Sequence, residues 1–408
     1  MPAATDTPKT ASLDSATPAR WLTPGRICLY AATLLVLECV VVAAWWYGHS
    51  VIANPSVPRL GWDFVVYWCA SGLAQMHGAV AAYDWELLRV AKTPLLPNTF
   101  GPFAYPPTFL LMIYPLAALP FSMALVLFAL TGIALYLGYL RAVVGNLHRY
   151  WIVPALAFPG VWTTLISGQN SLYTLAAAGG ALWLMRRHPV AAGACIALLC
   201  VKPQLGVLFP LMLLCERRWT AMAAAAGCSA LFVGLTVMAF GVDIYPAFLH
   251  SLAMFRETVA VNIDTLRGAP TVFGVLYVAG ASIPLANGVH AAVALCAIAT
   301  CVWVWCTKPR LALSASALVV GTLLTQPYLI YYDLAWLAIP VALLCVDMIR
   351  FGSRGWERLL LIVTWFAPMQ GLSPFFIDHV PQLAPLVLVC LLGLIVLRHQ
   401  AARSAAQS

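Results

Sequence analysis

About twelve apolar runs follow one another along this chain, and no other feature restricts its fold so strongly. They lie near 27–47, 107–140, 150–166, 170–185, 190–201, 203–215, 219–240, 288–306, 311–326, 334–349, 359–371 and 381–397. Of the 408 residues 62% are hydrophobic and only 9% charged. No water-soluble protein of this size has an interior large enough to hide so much apolar surface, so lipid must be the solvent for most of it. The expected fold is therefore an all-α polytopic membrane protein. It should have about 12 transmembrane or re-entrant helices, with further helices in its external loops.

The charges sort these runs into two faces. With the N-terminus inside, the basic clusters Arg141/Arg149, Arg186/Arg187, Arg217/Arg218, Lys308/Arg310, Arg350/Arg354/Arg358 and Arg398/Arg403 all fall on the cytoplasmic side, as does the C-terminus. The net charge of +8 thus arises from short clusters between apolar runs. It has neither the long stripe nor the aromatic-interleaved patch of a nucleic-acid binder, and nucleic acid is excluded as a partner. Residues 1–25 read as a disordered cytoplasmic tail, and 26–408 as a single membrane domain. The run 27–47 reads as a retained first helix rather than a cleaved signal. Two stretches resist simple counting. The runs 190–201 and 203–215 each give about 18 Å of helix, too short for a hydrocarbon layer of roughly 30 Å. They are expected to form a shallow hairpin with Lys202 at its tip, and 270–285 a re-entrant segment.

Two loops on the outward side are long, 48–106 and 241–270. The first should hold two membrane-surface helices. One runs from about Phe64 to Met76, and the other is capped by Asp84, with Glu86 in its first turn and Arg89 and Lys92 in its last. Of the twelve cysteines all but Cys69 fall within or at the ends of apolar runs, and no CxxC or His/Cys cluster occurs. Neither a metal site nor a disulfide framework is supported, and no cofactor is expected.

Polar residues that lipid should not tolerate gather at the outward ends of the runs: "YPP" with Tyr105, "SGQNSLY" with Gln169 and Asn170, "CVKPQLG" with Lys202 and Gln204, and "TQPYLIYYD" with Tyr332 and Asp333. Lys202, the one cation in a long apolar stretch, stands just before Pro203 at a helix start. That setting suits a phosphate oxygen first, with a lysine snorkelling to the interface or paired with an acid such as Asp333 as the alternative. Asp63, set among Trp62, Phe64, Tyr67 and Trp68, is either a general base whose pKa poor solvation raises or a cap for the helix that follows. Asp84 is the rival base, although its capping position accounts for it already. Gln169, Asn170 and Gln204 either bind sugar hydroxyls or close helix ends. Asp333 is either a salt-bridge partner or a ligand contact.

Taken in order, "GWDFVVYWCASGL…GAVAAYD", "FAYPPTFLLMIYPLAALP", "SGQNSLYTLAAAGGALWLMRR" and "AGACIALLCVKPQLGVLFPLMLL" resemble glycosyltransferase family 87, the polyprenol-phosphate-mannose-dependent mannosyltransferase-like proteins. The likeness runs from about residue 60 to 215, with a weaker echo at "TQPYLIYYDLAWL". Some relatives carry histidine near the position of Tyr328 or Tyr332, and this chain does not. The resemblance implies a GT-C type fold and a hexosyltransferase, with mannose the hexose expected. It would use a polyprenyl-phosphate sugar as donor and a lipid or glycan as acceptor, on the outer face of the plasma membrane. It also implies Asp63 as general base and Lys202 at the donor phosphate; the residues themselves, by their place at the outward ends of the runs, suggest Tyr105, Gln169, Asn170, Gln204, Tyr332 and Asp333 around the substrates. Two other classes compete. A lipid-linked oligosaccharide ligase or polymerase would need external arginines, and a lipid or solute transporter would carry inverted repeats and polar residues at mid-membrane.

Overall fold

The computed structural model describes residues 23–54, 57–97, 101–145, 150–261, 269–375 and 382–407. Nearly all of the tail expected over 1–25 falls outside these residues, as do Arg149, Asp264 and Arg267.

Every regular element among the described residues is helical. The long α1 (Pro24–Ser50) precedes α2 (Trp62–His77) and α3 (Trp85–Lys92) of the first loop, then α4 (Pro107–Ile113) and α5 (Phe121–Val144). Four shorter helices, α6 (Ile152–Leu156), α7 (Pro159–Ser167), α8 (Ser171–Leu184) and α9 (Pro189–Ala197), lead to α10 (Phe209–Cys215) and α11 (Trp219–Phe240). Next come α12 (Ile244–Val261), α13 (Val272–Val278), α14 (Ile283–Cys306) and α15 (Leu311–Thr325), and then α16 (Ala338–Phe351), α17 (Gly355–Phe366) and α18 (Ala384–Gln407).

Six segments are long and apolar enough to cross a bilayer: Pro24–Ser50, Phe121–Val144, Trp219–Phe240, Ile283–Cys306, Tyr331–Phe351 and Ala384–Ala405. Their outward sides are paved with exposed Leu, Val and Ile, such as Leu29, Val36, Leu130, Leu231 and Leu295, a surface that suits lipid and not water. Five shorter apolar helical segments, Pro107–Ala118, Ser171–Leu184, Pro189–Val201, Pro203–Cys215 and Leu311–Thr325, complete the set. Among the described residues six of the about 12 segments expected have the length to span, and with the five shorter ones the apolar helical segments number eleven. Proline accounts for two of the shortenings. The run 107–140 is cut by Pro120, which starts α5. The run through 190–215 breaks at Lys202, whose backbone (φ −149°, ψ 69°) is kept out of the helical region by Pro203 behind it.

The first external loop differs from expectation more deeply. The helix expected along the membrane surface is α2, and it is a core element: Phe64, Val65, Tyr67 and Ala70 are almost wholly buried, packed with Phe103, Phe109 and Phe128. Its N-cap is Gly61, so Asp63 sits inside the first turn and does not cap the helix. The larger core is built from α5, α7–α11 and α14–α18 around Phe158, Phe209, Trp305 and Trp336.

At the end of the bundle where α15 and α17 begin and α16 finishes, one buried guanidinium ties three helices. Arg398 of α18 donates to Asp347 Oδ2 of α16 at 2.8 Å and to Glu357 Oε2 of α17 at 3.0 Å, and it also donates to the Gly352 carbonyl at 3.0 Å. Arg310, just before α15, reaches the other Asp347 oxygen at 3.3 Å.

Candidate active site

The opposite end of the bundle is organised by two glycines. Gly61 (φ +75°) turns the chain into α2, and its N–H donates to the Ile166 carbonyl in the last turn of α7 at 2.8 Å. Gly168 (φ +74°) ends α7 directly against that turn. A Cβ there would lie 2.7 Å from Phe64 Cβ and 2.8 Å from Gly61 Cα. Left-handed backbone and close approach together require glycine at 168. The two corners interlock, and each carries a polar side chain into the same space.

Gln169 Nε2 donates to Asp63 Oδ2 at 2.8 Å. The other end of the same amide is occupied as well: Gln169 Oε1 accepts from Tyr67 Oη at 2.5 Å and Tyr105 Oη at 3.0 Å, and the two phenolic oxygens are 2.8 Å apart. Two residues along, Ser171 Oγ donates to Asp333 Oδ1 at 2.8 Å. Lys202 Nζ donates to both oxygens of Asp333, at 2.6 and 2.8 Å, and lies 5.0 Å from the centre of the Tyr332 ring. Lys202 is 5% and Asp333 3% exposed, so this is a buried ion pair whose carboxylate is satisfied on both oxygens. A single turn, Gln169-Asn170-Ser171, therefore links the lone carboxylate of α2 to the Lys202–Asp333 pair.

Asn170 at the middle of that turn is completely buried, and neither its amide nitrogen nor its amide oxygen has a partner. Asp63 remains partly exposed. Burial raises its carboxyl from the ordinary 3.8 to about 6, with the amide of Gln169 and the charge of Lys202 pulling downward and Asp333 adding to the rise. A carboxylate with that pKa, open to one side, is a competent proton acceptor near neutrality.

The other expected site residues lie elsewhere. The Gln204 side chain is exposed, and only its backbone carbonyl is engaged, accepting from Gln326 Nε2 at 2.9 Å. Asp84 is exposed and caps α3, accepting from the N–H groups of Glu86 and Leu87 at 3.0 Å each. Tyr67 and Ser171 belong to the cluster and escaped the reading of the sequence. Tyr67 follows Asp63 by four residues on one helical face, and Ser171 follows Gln169 by two across a tight turn; both spacings were available as signals. The described residues contain no group of three His, Cys, Asp or Glu side chains placed to share a metal ion.

Long lipid-facing helices with a polar cluster collected at one end define a membrane-embedded protein built around a chemical site. The chain belongs to glycosyltransferase family 87, whose model matches residues 103–327. The matched span includes Tyr105, Gln169, Asn170, Ser171, Lys202 and Gln204, and leaves Asp63, Asp84, Tyr332 and Asp333 outside. No curated protein and no solved structure matches the chain. It is a membrane glycosyltransferase, and it acts on a sugar donor and an acceptor.

Proposed function

We propose that this chain transfers a hexose, with mannose the expected sugar, from a polyprenyl-phosphate donor to a lipid or glycan acceptor at the outer face of the plasma membrane. Its termini are cytoplasmic, and the end of the bundle holding Asp63 and Lys202 faces outward. The observation that carries this reading is the convergence on one turn of a partly exposed carboxylate, through Gln169, and a buried ammonium, through Asp333 and Ser171.

In the proposed step Asp63 takes the proton of an acceptor hydroxyl as its oxygen bonds to the anomeric carbon. The bond from that carbon to the phosphate oxygen breaks, and its electron pair leaves with polyprenyl phosphate. The leaving group is stable as an anion, so no general acid is required, but the charge gathering on it calls for a cation. Lys202 gives two of its three N–H bonds to Asp333 and keeps the third for the phosphate. The unpartnered amide of Asn170 has bonding capacity to spare beside the cluster, and a sugar hydroxyl would reach it only by displacing the side chains that bury it. A single displacement of this kind inverts the anomeric centre, turning a β-linked donor into an α-linked product. A ligase would place arginine at the cluster, yet Arg59 stacks on Phe121, Arg89 pairs with Glu86, and Arg256 is exposed.

The test is direct. Purified protein given labelled polyprenyl-phosphate mannose and a membrane lipid extract should release polyprenyl phosphate, and Asp63→Asn should lower that release by at least about a hundredfold. Unchanged release from a folded Asp63→Asn protein would remove Asp63 from the reaction.

A further inference from the structure

The contacts of Gln169 set out a proton-counting problem. Three oxygens, Tyr67 Oη, Tyr105 Oη and Gln169 Oε1, form a triangle with sides of 2.5, 2.8 and 3.0 Å, and two hydroxyl protons are available to it. However those protons are shared, the amide oxygen is the only corner with no hydrogen of its own, and it takes at least one. The amide nitrogen is then turned to Asp63 Oδ2 at 2.8 Å. Turning the amide over would put its oxygen against a carboxylate oxygen at that distance, with no hydrogen between them. Such an arrangement becomes acceptable only when Asp63 is protonated. The tyrosine pair therefore favours the amide orientation that suits an ionised Asp63, and it holds the carboxylate by one oxygen so that the other is left for the acceptor.

We propose that Tyr67 and Tyr105 are positioning residues, which lock the amide of Gln169 in one orientation and through it keep Asp63 ionised and aimed. The proposal rests on the reading of Asp63 as the base. Tyr67 itself is 1% exposed, and its ring is held edge-on by Phe103, Phe109 and Tyr105, so the hydroxyl has little freedom to find another partner. The charged and titratable groups around Asp63 are Lys202 and Asp333, Tyr67 on its own helix, and Tyr105, Tyr331 and Tyr332. Of these only Tyr67 and Tyr105 touch Gln169. Removing either hydroxyl leaves Lys202 and Asp333 paired, which isolates the effect of the amide.

The experiment follows the carboxyl itself. Protein carrying carbon-13 in its aspartate carboxyls is titrated by infrared spectroscopy, and the protonated-carboxyl band missing from Asp63→Asn identifies Asp63. Wild type should titrate near pH 6, and Tyr67→Phe should move that midpoint upward by about one unit, a tenfold change in the ionised fraction at lower pH. Tyr105→Phe, which removes the longer bond, should move it less. Midpoints for both variants within roughly a quarter of a unit of wild type would overturn the proposal. Phenylalanine keeps both rings, so the fold should survive; if Tyr67→Phe does not yield monodisperse protein, the Tyr105→Phe midpoint decides alone. Polyprenyl phosphate release by Asp63→Asn separates the two claims. Full release there removes the base and this proposal together, whereas no release with unmoved midpoints removes only the role of the tyrosines.

Discussion

At the scale of single residues, the proposed role of Asp63 as base would couple activity to stability in opposite directions. A carboxyl whose pKa is raised from 3.8 to about 6 binds its proton more tightly in the folded chain. The stability this gives is complete below about pH 4 and is lost as pH climbs through about 6. Catalysis by the ionised form, as proposed, would run the other way, so the rate should fall as pH is lowered through about 6, which a pH–rate profile with labelled donor will register. Asp63→Asn still accepts from Gln169 but has no charge to desolvate. At pH 7.5 it should be more stable than wild type by about 1–2 kcal/mol, after allowance for the partial exposure of the site. A rise in melting temperature together with lost transfer is the expected result. Asp84 behaves differently, because its Oδ1 accepts from two helix N–H groups and caps α3. Asp84→Ala should cost about 1 kcal/mol in thermal unfolding and leave the rate unchanged.

Elements, rather than residues, hold the ion pair, and the pairing of Lys202 with Asp333 joins the break between α9 and α10 to the turn that opens the Tyr331–Phe351 segment. Truncating one side of a buried pair leaves an uncompensated charge, and Lys202→Met should therefore destabilise by about 3–5 kcal/mol. Lys202→Met combined with Asp333→Leu should return most of that stability without restoring transfer. Thermal melts and donor turnover measured on the same samples check this, and an active double variant would leave Lys202 with a packing role alone. This element also marks how far the sequence could be read. Pro203 announced the break, whereas the cation in an apolar stretch pointed first to a phosphate, and its pairing with Asp333, which the structure shows, was the alternative reading. The burial of α2 was not legible. Its aromatic content fits an interface as well as a core, and only the interlocking of Gly61 and Gly168, more than a hundred positions apart, decides between them. Tyr67 stands four residues after Asp63, which puts the two on one face, but without knowing that this face meets Gln169 a tyrosine in an aromatic helix looks like packing.

The molecule as a whole separates chemistry from cohesion. Its proposed reacting groups are at one end, while the other is tied by Arg398, Asp347, Glu357 and Arg310 across four helices or their starts. Arg398→Ala should lower stability by about 3–5 kcal/mol in a detergent melt, while the KM for donor in the protein that remains folded stays within about twofold of wild type. The broad layout, many apolar helices with basic residues at one end and odd polar residues at the other, was written in composition and charge order. Helix lengths were not, because proline breaks and 3-10 turns shorten spans whose hydropathy runs on unbroken.

The corner after Gly168 has a consequence for substrate choice. Since the partners of the proposed base and of the Lys202–Asp333 pair hang from positions 169 and 171 of the same bend, their separation is measured off by two peptide steps and not by the looser packing of whole helices. Under the proposed reaction, the bend would act as a ruler for the span of the donor's sugar phosphate. Lengthening it by a single residue would recalibrate the enzyme toward a bulkier donor, or leave it with no donor that reaches both marks.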